Sequence, residues 1–257
     1  IKNCVANSIK FFIDNDEDVN NIDSMTTHRT GGPKDNDYMD DLEMCEEVVK
    51  RNGGELYVTG HHQAHAANAF FSSNFKEALI MTIDGGGEDN EDGSLHHKDE
   101  IDTSKSAVNT CTTFWLGKDN KIEPLKMIRN TKLNIGFYWA NVTKQIFGLG
   151  TWGDPRGDQA GTVMGMAALG DPEKYRGHFK NMKDGYVIPK NHQLLRRETQ
   201  RDEREGFHVA AALQAETEEI MKAYLTPYIE KYKPKNLCLS GGVSLNCVSV
   251  GKMFDWF

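Results

Sequence analysis

Residues 78–84 read Ala-Leu-Ile-Met-Thr-Ile-Asp and run directly into Gly85-Gly86-Gly87-Glu88. A short apolar run bounded by glycines is the pattern of a buried strand, so the chain must fold around a sheet with this segment inside its core. The strand delivers an aspartate to a glycine-rich turn. Glycines let backbone N–H groups crowd around a phosphate, and an aspartate at a strand end can bind a metal. Strand–glycine hairpin turns are also common, so the segment alone does not decide its role.

The rest of the chain supplies partners for such a strand. Residues 4–13 read as a helix leading into an acidic, Asn-rich stretch at 14–23, and Thr30-Gly-Gly-Pro33 reads as a turn. Leu42, Cys45, Val48 and Val49 recur at helical spacing over 40–52, and Arg51-Asn-Gly-Gly54 ends that helix. Residues 55–59 (ELYVT) read as a strand and 61–71 (HHQAHAANAFF) as an alanine-rich helix. Residues 88–107 form a polar loop or hairpin tip, with His96 and His97 exposed. Segments 112–116 and 122–127 suggest a strand meander, 135–147 a helix, and 149–162 an irregular glycine-rich stretch. Residues 163–169 are small and apolar, with Met164 and Met166 packed. Residues 171–206 read as a solvated face or loop, and 207–232 as the longest helix, with Val209, Ala212, Leu213, Ile220 and Leu225 on one side. A strand at 236–239, a Ser240-Gly-Gly-Val243 turn and a helix from 245 follow. Strands alternating with helices, plus a meander, indicate an α/β fold.

Composition narrows the function classes. Thirty Lys and Arg against 38 Asp and Glu give a net charge of −8, which disfavours a nucleic-acid scaffold. The apolar runs are too short to cross a bilayer, and no secretory signal opens the chain. Cys4, Cys45, Cys111, Cys238 and Cys247 are scattered and odd in number, without a CxxC pair. They point to a reducing, cytoplasmic compartment instead of a disulfide or thiolate-zinc framework, with Cys238 and Cys247 read as small buried residues. The chain starts at Ile1, and both ends read as cut.

Three further constellations are candidates for carrying chemistry. In His61-His62-Gln-Ala-His65, positions i and i+4 of a helix face one side, so His61 and His65 can offer two imidazoles to one metal. His62 points about 100° away, toward a substrate or a supporting role. A histidine pair packed and hydrogen-bonded in the core is an equally good reading of that motif by itself. In Cys238-Leu-Ser240-Gly241-Gly242-Val243-Ser244-Leu245-Asn246, a strand, a Gly-Gly turn and a helix start make an anion or nucleotide platform. It is neither a Walker loop nor a Rossmann fingerprint. Gly161-Thr-Val-Met-Gly165-Met-Ala-Ala-Leu-Gly170 is a packed small-residue segment.

Taken together and in order, HHQAHAANAFFSSNFKEALIMTIDGGGE, GTVMGMAALG and LCLSGGVSLNCVSVGK resemble the NodU/CmcH-type carbamoyltransferases over about residues 55–257. The resemblance implies an actin-like (ASKHA) ATPase fold built from RNase H-like halves and incomplete at both ends. Residues 1–54 would be a partial first lobe and 55–257 a partial actin-like carbamoyltransferase domain, with no YrdC-like domain. It implies a metal, Fe2+ or another divalent ion, on His61, His65 and Asp84. It sets Gly85, Gly86 and Gly87 near phosphates, and Gly241, Gly242 and Val243 near adenosine, with Asn246 at the same helix start. His62 would assist proton removal.

The implied reaction moves a carbamoyl group from carbamoyl-adenylate to a hydroxyl of a small-molecule acceptor. A YrdC-like domain would make the carbamoyl-adenylate from carbamoyl phosphate and ATP. No nucleic acid or membrane partner is expected, and the oligomeric state is not encoded. Thr162 replaces the family lysine before VMG, and Val250 replaces the asparagine before GK. A truncated or degenerate nucleotide-binding module without catalysis, or a relative of tRNA threonylcarbamoyl-transfer enzymes, are the alternatives.

Overall fold

A computed structural model of the chain describes residues 24–28, 45–47, 49–51, 53–90, 96–97, 108–129, 132–151 and 153–257. The helix expected at 4–13 and the turn at 30–33 lie outside these residues. The chain divides into two compact units, residues 1–64 with 87–109, and 65–86 with 110–257.

In the first unit, β1 (Ser24–His28) pairs in parallel with β2 (Glu55–Thr59). On its other side β2 pairs antiparallel with the short β4 (His96–His97). His96 and His97 are therefore ladder residues rather than part of a free loop, in register with Val58 and Tyr57. A helical stretch that includes residues 45–47, 49 and 50 buries Cys45 and Val49 and ends at the expected turn, where Gly54 N–H bonds to Val49 O at 3.1 Å.

The second unit is built on a four-stranded mixed sheet in the order β6-β5-β3-β7. Its strands are β3 (Glu77–Asp89), β5 (Val108–Lys118), β6 (Lys121–Arg129) and β7 (Leu237–Ser240). β5 and β6 form an antiparallel hairpin, and β3 and β7 run parallel. The alternation of a strand explains how β3 is covered on both faces. Leu79, Met81 and Ile83 enter the larger core, while Ala78 and Ile80 join Trp115 and Cys238 against Ala66 and Phe70 of α1 (His61–Phe71).

Strand β3 does not turn at its glycines. It stays extended through Gly85, Gly86 and Gly87 to Asp89. The glycines admit close neighbours: the backbone of Gly136 in α2 (Ile135–Gln145) packs on Gly85, and the His61 ring packs on Gly87.

The larger core is organised by the long helix α5 (Glu203–Tyr232). Val209, Ala212, Leu213, Ile220 and Leu225 are all buried on it, as the sequence periodicity requires. Each large apolar side chain among them stabilises by about 2 kcal/mol. Trp139 of α2 donates its Nε1–H to Thr217 Oγ1 at 2.8 Å, and Phe114 stacks on Tyr228 at 4.0 Å. Helix α3 (Ala160–Ala167) starts earlier than the apolar run suggests, and Met164 and Met166 pack on this core.

Residues 171–206 are mostly structured: 3-10 turns lead to α4 (His192–Arg201), which buries Leu195 and presents its charges to solvent. The glycine-rich stretch before α3 is irregular yet braced. Gly150 N–H donates to Gln159 Oε1 at 2.8 Å, and the Arg156 guanidinium holds the Asp154 carboxyl well below the usual carboxylate range.

Helix α6 (Cys247–Trp256) closes the chain. Cys238 is buried as expected, whereas Cys247 is exposed. Cys247 stands in the first turn of α6, whose inward face is taken by Ser249 and Met253. Among the described residues no helix is long and apolar enough to cross a membrane.

Glu216 of α5 is buried, and its Oε2 has no hydrogen-bond partner among the described residues. Burial, reinforced by Glu219, pushes its carboxyl above the ordinary value. Between the unfolded and folded values, the native chain keeps a proton that the unfolded chain has released. Stability therefore falls as pH rises through that window. Glu216→Gln removes the linkage, so urea titrations from about pH 4.5 to about pH 8 are expected to show a smaller loss of stability than wild type.

Candidate metal centre

The site follows from strand parity. Asp84 lies an even number of residues from Ala78 and Ile80, so it emerges on the face of β3 that α1 covers. His65 stands on α1, and its Nε2 lies 3.1 Å from Asp84 Oδ2. The parallel register sets Ser240 of β7 beside Thr82, and Ser240 Oγ lies 3.3 Å from His65 Nδ1. The Asp84 carboxylate also accepts two backbone N–H groups, from Gly85 at 2.6 Å and from Gly242 at 3.2 Å. The His65 and Asp84 side chains are 32% and 24% exposed, so an ion has access to them.

His61 precedes His65 by one turn of the same helix. One ligand atom from each of His61, His65 and Asp84 lies within 4.8 Å of the others. Ligand atoms around one ion at about 2.1 Å stand at most about 4 Å apart, so the group is nearly closed around such a volume. The residues present fit such an ion: two imidazoles and one carboxylate suit a first-row divalent metal.

His62 faces elsewhere. Its ring is fully buried, with Nδ1 2.9 Å from Asp89 Oδ2, while its backbone N–H donates to Asp89 Oδ1 at 2.8 Å. Asp89 thus satisfies one of the orphan donors at the start of α1. Asp89→Ala is expected to cost about 2 kcal/mol of stability, read as a lowered urea midpoint, because it leaves that N–H and the imidazole without their carboxylate.

The glycine segments have distinct surroundings. Asn134, buried at the N-cap of α2, accepts from Phe137 N–H and donates to Gly85 O, both at 2.8 Å, tying the start of α2 to the glycine stretch. Gly241 has φ +93, and Gly242 opens a 3-10 turn that ends in Leu245. Val243 is partly buried and packs on the larger core. Asn246 is buried and caps α6 by accepting from Ser249 N–H at 3.0 Å, and its amide donates to Gln214 Oε1 at 2.7 Å. Its side chain is therefore engaged in anchoring the turn to α5. Thr162 is exposed on α3. The thiol of Cys111 is pushed up to about 11 by burial and lies 3.2 Å from Leu133 O, which makes it a structural residue.

Sequence reasoning missed Asp89 and Asn134, and read Ser240 only as part of the platform turn. The N-cap position of Asn134 ahead of an apolar helix was a usable signal. The other two depend on tertiary register.

The family model described as "Carbamoyltransferase N-terminus" matches residues 33–256. The nodulation protein NolNO of Sinorhizobium fredii is 29% identical over 206 residues, covering 75% of this chain and 26% of that protein. The nodulation protein NolO of Bradyrhizobium diazoefficiens is 26% identical over 208 residues, covering 75% and 32%. An uncharacterized protein of Synechocystis is 26% identical over 226 residues, covering 77% and 32%. The chain thus spans about a third or less of the length of these relatives. Among solved structures, HypF of T. kodakarensis matches with a TM-score of 0.46 at 12% identity, covering 93% of this chain and 37% of that one.

Proposed function

Because the chain belongs to the carbamoyltransferase N-terminal family, we propose that it is the actin-like part of an O-carbamoyltransferase acting on a small-molecule hydroxyl. The observation that carries this reading is the His61, His65 and Asp84 group at the end of a buried strand. A divalent ion held there, iron(II) by preference, supplies a Lewis acid for a carbonyl or an acceptor oxygen.

The chain's own residues have separable parts. Asp84 brings negative charge to the group, and the N–H groups of Gly85 and Gly242 hold both of its oxygens. Gly85, which packs on the start of α2, with Gly86 and Gly87 after it, is the proposed phosphate-facing segment, since a helix N-terminus favours anions. Gly241, Gly242 and Val243 are the proposed adenosine-facing turn, and Asn246 anchors it. His62 was the sequence candidate for proton removal. We assign it instead to fixing the first turn of α1, from which His61 projects, with His65 following one turn later.

The donor is carbamoyl-adenylate, made from carbamoyl phosphate and ATP by a YrdC-like domain. The acceptor oxygen forms a bond to the carbamoyl carbon, the bond from that carbon to the AMP phosphate oxygen breaks, and the hydroxyl proton is released. Four free cysteines among the described residues accord with a reducing, cytoplasmic setting.

The test supplies iron-loaded protein with isotopically labelled carbamoyl-adenylate and a panel of sugar and polyol hydroxyl compounds. Label is expected in a carbamate ester with wild type and not with Asp84→Asn. Hydrolysis of the donor with no ester in any mixture would contradict the reading.

A further inference from the structure

An imidazole that holds a metal directs its second ring nitrogen to a hydrogen-bond partner, which sets its tautomer and ring angle. His65 meets this requirement through β7. Its Nε2 faces Asp84, and its Nδ1 lies 3.3 Å from Ser240 Oγ. A serine hydroxyl suits both forms of the ring. It accepts from Nδ1–H when Nε2 offers its lone pair to an ion, and it donates when the proton sits on Nε2.

Ser240 is itself held on two sides. Its backbone is registered against Thr82, and its carbonyl accepts from Ser244 Oγ at 2.7 Å. Two residues on, Gly242 N–H reaches Asp84 Oδ2 at 3.2 Å. One short turn therefore touches two members of the metal group, through a hydroxyl at His65 and through the backbone at Asp84.

We propose that Ser240 is a positioning residue for His65, and that the turn from Ser240 to Gly242 is the outer shell of the metal centre. This deepens the metal reading above and rests on it. It gives the turn a role distinct from nucleotide contact, which is all that the family resemblance attaches to it.

Cobalt(II), followed by visible absorption during titration, is the probe. Ser240→Ala is expected to weaken cobalt binding by about 10-fold or more, with the melting temperature within about 3 °C of wild type. Ser240→Thr, which keeps the hydroxyl, is expected to restore affinity to within about 3-fold of wild type. Equal affinity in wild type and Ser240→Ala, while His65→Ala loses binding, overturns the positioning role and leaves the metal centre standing. Loss in Ser240→Ala with no rescue by threonine also overturns it, since packing and not the hydroxyl would then be responsible. If wild type binds no cobalt, the metal reading fails and the proposal falls with it.

Discussion

Asp84→Ala is expected to reduce divalent-metal affinity by more than about 100-fold, beyond the loss usual for an outer-shell residue. Asp84 is the anionic member of a group whose other two members are imidazoles. Its carboxylate is already oriented, with N–H groups from Gly85 and Gly242 on its two oxygens, so little ordering remains to oppose binding. Alanine removes both the charge and the acceptor for those N–H groups. The chain should therefore also lose about 1–3 kcal/mol of stability. Asp84→Asn separates the two effects: the amide oxygen keeps an acceptor for one N–H, while the charge is gone. Cobalt titration alongside urea unfolding distinguishes them. Full metal affinity in Asp84→Asn would show that the carboxylate is not a ligand.

Gly241→Ala is expected to destabilise the chain by about 4 kcal/mol or more. At φ +93 and ψ 163 the residue occupies a region that is essentially closed to side chains. A Cβ built there lies 2.3 Å from Ile83 O and 2.8 Å from Ile83 C. Both are backbone atoms of the buried strand, so no rotamer change relieves the overlap. Either β3 or β7 must shift. That shift would withdraw Gly242 N–H from Asp84, so metal affinity should fall with stability. The melting temperature is expected to drop by at least about 8 °C. Gly161→Ala, at a helical glycine with nothing within 4 Å of its Cβ position, is the control and should melt no lower than wild type.

Much of the frame was legible in the sequence because local and tertiary preferences agreed there. The strand at 55–59 and the helix at 61–71 have the expected bounds, and the apolar stripe of α5 faces the core, joined there by Ala210 and Met221. The spacing of His61 and His65 gave their common face directly, and the fold supplied Asp84 by parity along β3.

The misreadings share a cause. Glycine is depleted in strands, so a local reading stops β3 at Asp84. Close approach by α2 and His61 instead favours an extended glycine backbone, and the strand continues. Asp89, and with it the buried setting of His62, became visible once that continuation was known. Ser240 depended on the register of two strands more than 150 residues apart in sequence, which periodicity does not encode. The charged run from 196 is helical as far as Arg201 because Leu195, beside it, buries one side of α4 while the charges cover the other, and after Asp202 it continues as the start of α5.

The central claim is that one ion sits between His61, His65 and Asp84. X-ray absorption spectroscopy of the iron-loaded chain tests it most directly. The account predicts scattering from two imidazole ligands per iron in wild type, falling to one in His61→Ala and in His65→Ala. An iron site with no imidazole scattering, or one unchanged by either substitution, would contradict it.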